Sequence, residues 1–470
     1  MQVTSLKLML DKKIITQDEY DSAMRDIQAS AGSKAGSDTN TLTLGKFATT
    51  IYGFVEADAI HDSTQGFTEV QGNGQVKRNE TFAGQHGQLE GSIRNSRFGV
   101  RVKAPAFHDM RVSGMLEMDF LGNQPVQAYP SGGTAGAISE ASLYANPEFR
   151  ARHIMAKVET PIIDILFGQY WNLFGWQPYY HPNTVEIQGI PGEIYSRRPQ
   201  LRLSKTIKTD PINVDIAVAA LNPVQRDSEA PEMQAGLRLV FNNWKGKRTG
   251  GSTGTAIEPA SIGVSGDMKY VKIPYPLSTT TNGTTGTTDL VGTSIAIDAF
   301  LPIIPTSDNG KSGNNLSFTG EFSTGFGMAD QFSSLTGGVA FPAPPNPTNA
   351  NPAPTYVQDI DNGIIGFTAD GTMHYVQWYA GIVGLQYYFP LTNGKVWVAV
   401  NYAHMESPNT AQLGGATKVR TKLDWVDGNL FVEPAPGWRL GLSYSRTFDT
   451  YADKQQPVND RVQGSAFFIF

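Results

Sequence analysis

The chain has 470 residues, room for about three ordinary domains or one large closed barrel, and 40% of them are hydrophobic against 17% charged, with 24 Phe, 18 Tyr, 7 Trp and 49 Gly. No stretch reaches the roughly 18 apolar residues that a spanning helix needs, the aromatic content argues against a disordered chain, and a net charge of −6 without a Lys/Arg run offers nothing to nucleic acid. The absence of cysteine excludes disulfides, thiolate metal sites and cysteine nucleophiles together, and is compatible with an oxidising envelope.

The opening residues MQVTSLKLMLDKK carry no basic segment ahead of an apolar one, so a signal peptide is expected to be already absent from this numbering. Apolar residues at Val3, Leu6, Leu8 and Leu10, and again at Tyr20, Ala23, Met24 and Ile27, fall near helical spacing. Thr16 with Glu19 makes a capping box for a helix starting near Gln17. Residues 1–30 are expected to form a short helical segment, either a hairpin that docks on a partner or, through Val3, Leu6, Leu10, Tyr20, Met24 and Ile27, a trimeric coiled coil with Lys13 and Gln17 in its seam. Residues 31–46 read as a flexible linker rich in Ser, Gly and Thr.

From Phe47 the period changes to two. Strands are expected at 47–60, 89–103, 109–121, 149–159, 162–172, 194–206, 212–222, 232–242, 260–273, 293–304, 314–327, 372–389, 395–405, 421–433, 437–449 and 459–470. The connections alternate between tight (104–108, 160–161, 208–211, 390–394, 434–437) and long (61–88, 122–148, 173–193, 274–292, 328–371, 406–420, 450–458). That asymmetry belongs to outer-membrane barrels, with short periplasmic turns and large external loops; the expected departure is 243–259, long where a tight turn should stand. Faces alternate as well: Phe98, Val100 and Val102 oppose Arg97, Arg101 and Lys103, and Val396, Val398 and Val400 oppose Trp397, Ala399 and Asn401. Lipid cannot satisfy an open edge, so the fold class is all-β, a 16-stranded antiparallel transmembrane β-barrel (47–470) with a short N-terminal helical extension, wide enough for an aqueous channel and with both termini on the periplasmic side.

The chain stops within the last strand, RVQGSAFFIF, with Phe470, Phe468 and Ala466 on one face, which resembles the assembly signal of outer-membrane proteins. Tyr387, Tyr388 and Phe389, and Tyr170 with Trp171, fit interfacial girdles or, alternatively, core packing. The low-complexity run within 328–371 reads as an exposed cap.

The block FGQYWNLFGWQPYYHPNTVEIQGIPGEIYSRRPQLRLSK (167–205), with SRFGVRVK (96–103) and GMLEMDFLG (114–122), resembles porins of the DcaP-like group, dicarboxylate-associated trimeric outer-membrane channels with a helical N-terminal extension. In general porins the third external loop, here 173–193, folds inward to narrow the channel, and the resemblance implies the same here. It also implies a homotrimer embedded in outer-membrane lipid and lipopolysaccharide, carrying small anionic solutes, with the N-terminal helices free to meet a periplasmic or cell-wall partner.

The residues allow the chemistry to be argued separately. Inward parity selects Arg97, Arg101, Arg198, Arg202 and Arg238, whose planar, always-charged guanidinium groups match carboxylates. Glu117, Asp119, Glu186 and Glu193, with Glu56 and Asp58, are the carboxylates able to neutralise them. Arg198 and Arg202 are expected to stand about 7 Å apart, a clamp for the two ends of a dicarboxylate, unless Glu186 or Glu193 locks them. His153 is expected inward beside Lys157. The seven histidines show no ligand spacing and no metalloprotease signature is present, so neither an enzyme, a metal nor a cofactor is expected. The function expected is a passive, anion-preferring diffusion channel; the alternative is a structural or adhesive surface protein whose barrel is plugged by its own loops.

Overall fold

In the computed structural model the described residues are 41–44, 46–122, 147–225, 228–250, 254–275, 286–306, 313–333, 335, 363–368, 373–413 and 419–470. The expected helices of residues 1–30, most of the linker and the centre of the 328–371 run lie outside them.

All sixteen expected strands are present. They are β1 (Phe47–Asp62), β2 in two pieces (Gln88–Ser92 and Arg97–Lys103), β3 (Arg111–Asp119), β4 (Arg150–Glu159), β5 (Asp164–Trp171), β6 (Arg197–Ile207), β7 (Ile212–Leu221) and β8 (Glu232–Gly250). The second half runs through β9 (Gly254–Tyr275), β10 (Gly286–Ile304), β11 (Asn315–Phe326), β12 (Gln377–Tyr388), β13 (Val396–Glu406), β14 (Arg420–Ala435), β15 (Trp438–Tyr451) and β16 (Val458–Ile469). Each pairs antiparallel with its neighbour, and β1 closes on β16 from Phe54↔Ile469 to Asp62↔Arg461, leaving no open edge in the wall. β16 leaves the foot of β1 unpaired on that side, and Thr41–Leu44 covers it, with Leu44 opposite Phe47.

The expected long connection 243–259 is instead strand. β8 and β9 continue through it and stay paired as far as Gly250↔Gly254, past an irregularity in register between Phe241 and Lys245. The irregularity breaks the two-residue alternation on which the sequence reading depends.

The wall is apolar outside and polar inside. On β13, Val400 and Tyr402 are exposed outward while Trp397, Ala399 and Asn401 are buried inward; on β16, Val462 and Phe468 face out and Arg461, Gln463 and Ser465 face in. Such a wall suits lipid outside. The expected girdle residues divide: Tyr387 packs against Phe389 with ring centres 5.2 Å apart, whereas Tyr388 and Trp171 are buried.

More than one loop enters the barrel. Loop 1 (63–87) sends Gln71 inward, where its side chain donates to Thr447 and accepts from Trp425. Loop 3 (172–196) is buried along nearly its whole length. The described parts of loop 6 (327–376) are buried too: Met328, Phe332, Ile364 and Ile365 join Phe174, Ile194, Trp378 and Trp425 in an apolar cluster within the barrel. The low-complexity run expected as an exposed cap lies outside the described residues, while its flanks add apolar side chains to the lumen, because period-two alternation describes the wall and carries no information on what the loops place against it.

Candidate functional site

Loop 3 is fixed to the inner wall by one polar contact after another. The backbone N–H groups of Leu173 and Phe174 donate to Gln234 on β8 (2.8 and 2.9 Å) and that of Gly175 to Ser265 on β9 (2.8 Å). Asn183 accepts from Trp397 of β13 (2.8 Å), and Val185 N–H donates to Asn429 of β14 (2.9 Å). Gln188 accepts from both Arg150 and Arg152 of β4 (2.9 and 2.8 Å), and Ile194 N–H donates to Glu321 of β11 (2.6 Å). These buried polar wall residues are thereby paired with loop backbone and loop side chains.

Between loop 3 and a wall made of β1–β5, β8, β9 and the end of β16, on the tight-turn side, lies a cavity of about 720 Å³. Of the expected site residues, Arg97, Arg101, Glu117, Glu186 and Glu193 line it; Asp119, Arg198, Arg202 and Arg238 do not. Its carboxylates are occupied. Glu117 is held by Arg152 (2.8 Å) and by the Tyr52 hydroxyl (2.9 Å), Glu193 by His181, Glu258 by Arg248 (2.9 Å), and Glu186 accepts from Gln71 N–H with Arg461 at 3.8 Å. Arg97 has only a 3.6 Å approach to Glu117. No carboxylate among the described residues comes within ion-pair distance of Arg101, whose guanidinium carbon lies 4.1 Å from the centre of the Tyr52 ring. Burial pushes the Glu186 carboxyl up to about 8 against the pull of Arg461. For Tyr195 burial acts upward, but Arg152, Arg197 and Arg97 outweigh it and hold the phenol below its ordinary value.

The expected Arg198–Arg202 clamp is not present. The two stand four positions apart on β6, about 13 Å of strand rather than about 7 Å. Arg198 is bound to Glu232 (2.6 Å) and Asp330 (2.5 Å), not to Glu186 or Glu193, and Arg202 is buried against Gln200 and the Trp171 carbonyl. Arg238 is paired with Asp215 (2.7 Å) and Asp119 with Arg150 and Arg152 (2.6 and 3.0 Å). Parity found the inward face and could not find the partners: Asp215 and Arg150 stand directly across from Arg238 and Asp119 on the adjacent strand, whereas those of Arg198 arrive from β8 and loop 6.

Arg152 is the residue that parity missed. Glu117 pairs with His153 but Met118 pairs with Ala151, so Arg152 is an extra residue in β4, and after it the inward positions shift by one. Arg150 and Arg152 point inward before the bulge, and His153 and Lys157 after it. The signal was present in the sequence, since Arg150 and Arg152 on one parity and His153 and Lys157 on the other cannot all lie inside an unbroken strand. His153 is buried among Tyr170, Trp171 and Glu117 rather than open to the channel. Among the described residues no group of three or more His, Asp or Glu could hold a metal ion.

No protein-family model matches this sequence, and no curated protein matches it in sequence. The outer-membrane channel DcaP of Acinetobacter baumannii superposes with a TM-score of 0.62 at 16% identity, over 91% of this chain and 99% of that one. The fold is that of DcaP. An anion-selective porin from Comamonas acidovorans (TM-score 0.49, 9% identity, 90% and 100% coverage) and the trimer form of Vibrio cholerae OmpT (0.46, 11%, 90% and 99%) are more distantly alike.

Proposed function

We propose that this protein is an outer-membrane porin, a passive diffusion channel for small hydrophilic solutes that prefers anions such as dicarboxylates. The observation that carries the reading is the charge balance of the cavity: its carboxylates are each held by a partner, while no carboxylate among the described residues pairs with Arg101. A ring of fixed cations at a constriction lowers the energy of a passing anion, irrespective of net charge elsewhere. In planar bilayers the purified protein is expected to give stepwise conductance with a reversal potential favouring chloride; cation preference would remove the reading.

The proposal extends to organisation. Residues 1–30 are the periplasmic helical segment, 31–46 the linker except where Thr41–Leu44 pairs with the foot of β1, 47–470 the barrel, and 173–193 the constriction loop, with both termini periplasmic. A homotrimer in lipid and lipopolysaccharide is supported by the small outer residues Ala57, Ala59, Gly91 and Ala466 near the β1–β16 seam, where two walls could approach closely. A single-barrel mass in mild detergent before heating would overturn the trimer.

The second reading, a structural surface protein with a plugged barrel, is favoured by the apolar cluster that loop 6 builds within the lumen. A membrane closed at all voltages would support it.

A further inference from the structure

Arg152 is wholly buried and makes four polar contacts from one guanidinium. Its Nε donates to Glu117 Oε1 (2.8 Å), Nη1 to Asp119 (3.0 Å) and to Gln188 of loop 3 (2.8 Å), and Nη2 to the Tyr195 hydroxyl of loop 3 (3.1 Å). The same Glu117 oxygen lies 3.6 Å from Arg97 Nε, a nitrogen without a hydrogen-bond partner. Glu117 is therefore the carboxylate best placed to neutralise Arg97, and Arg152 stands between them in that competition. The bulge lets Arg152 and His153, adjacent in sequence, both face inward.

We propose that Arg152 is a specificity-determining positioning residue of the channel: by occupying Glu117 and Asp119 it leaves Arg97 and Arg101 available to anions, and the same guanidinium holds loop 3 at Gln188 and Tyr195. This rests on the porin reading. The argument is electrostatic. Removing a cation from a buried set leaves an uncompensated carboxylate, which takes the nearest remaining cation, and that is Arg97 at 3.6 Å. Anion preference would then fall although neither Arg97 nor Arg101 had been touched. Tyr195 offers the contrast, since its hydroxyl contributes to holding loop 3 but carries no charge in the competition for Glu117.

The test is the reversal potential of the full-length protein in bilayers under a potassium chloride gradient. Arg152→Gln is expected to lose the anion preference, moving the reversal potential to zero or across it. Glu117→Gln/Arg152→Gln is expected to recover it, because the competitor has gone with its partner, and Tyr195→Phe to leave it unchanged. A wild-type reversal potential in Arg152→Gln, or no recovery in the double variant, would overturn the proposal. Should Arg152→Gln not assemble, the double variant decides alone: it keeps anion preference if Arg152 acts by occupying Glu117, and loses it if Arg152 is itself the anion's contact or only a structural support. Wild-type protein is measured first, and a channel without anion preference would instead overturn the porin reading, and this inference with it.

Discussion

Arg101 lies across the face of Tyr52, 4.1 Å from guanidinium carbon to ring centre, and the Tyr52 hydroxyl donates to Glu117 at 2.9 Å. The ring thus holds the arginine by its quadrupole, a contact worth about 0.5–2 kcal/mol, while its hydroxyl engages one oxygen of Glu117. Arg101→Gln is expected to reduce chloride-over-potassium permeability and leave the folded barrel intact, because lumen positions tune selectivity more than stability. Tyr52→Phe keeps the face but loses the hydroxyl, and a smaller reduction is expected as Glu117 is released. Reversal potentials of the two variants check the ranking, and equal effects would count against it.

Arg198 behaves differently in consequence of its partners. Glu232 and Asp330 are both buried, and Lys269 reaches Asp330 at 2.6 Å and Glu232 at 3.7 Å. Arg198→Ala would leave these carboxylates to one lysine, a loss of about 3 kcal/mol, toward the lower end for breaking a buried pair. The temperature at which the detergent-solubilised barrel unfolds is expected to fall, with selectivity unchanged. Altered selectivity at an unaltered unfolding temperature would return Arg198 to the pore.

How far the sequence could be read follows from these two arginines. Every wall strand was legible, because a wall between an apolar and a polar medium must alternate, and alternation is a local property. Arg97 and Arg101 lie on an unbroken strand, and their inward placement was correct. Arg198 was also correctly turned inward, but its partner Asp330 is 132 residues away on a loop whose entry into the barrel has no local signature. Arg152 was not singled out, because the parity that turns His153 and Lys157 inward turns it outward, although charged residues on both parities of β4 marked the bulge. The strands β8 and β9 were cut short for a related reason, since the sequence between Phe241 and Lys245 loses its alternation where the register slips.

Gly72 of loop 1 meets loop 3 closely. A Cβ added there would lie 1.6 Å from the Gly189 carbonyl oxygen, a backbone atom that no rotamer change can move. Gly72→Ala is expected to separate the two loops at that point, with the wall unaffected because neither residue belongs to it. A larger single-channel conductance, or new protease cleavage within loop 1, at an unchanged unfolding temperature is the expected outcome. Unchanged conductance and unchanged cleavage would mean that the loops part without consequence for the pore.

The same junction should respond to pH. Glu186 accepts from Gln71 N–H, with burial raising its carboxyl from the ordinary 4.5 to about 8. A group whose proton is held more tightly in the folded state stabilises that state fully below its unfolded pKa, and the contribution is lost as pH rises through the folded one. The window is therefore from about pH 4.5 to pH 8, and stability should decline across it. Arg461, 3.8 Å away, limits the decline without abolishing it. Glu186→Gln keeps an acceptor for Gln71 and removes the titration, so its unfolding temperature is expected to be flatter between pH 5 and pH 9 than that of the wild type, with the two proteins most alike at pH 5. Parallel curves across the whole range would show that Glu186 does not titrate there.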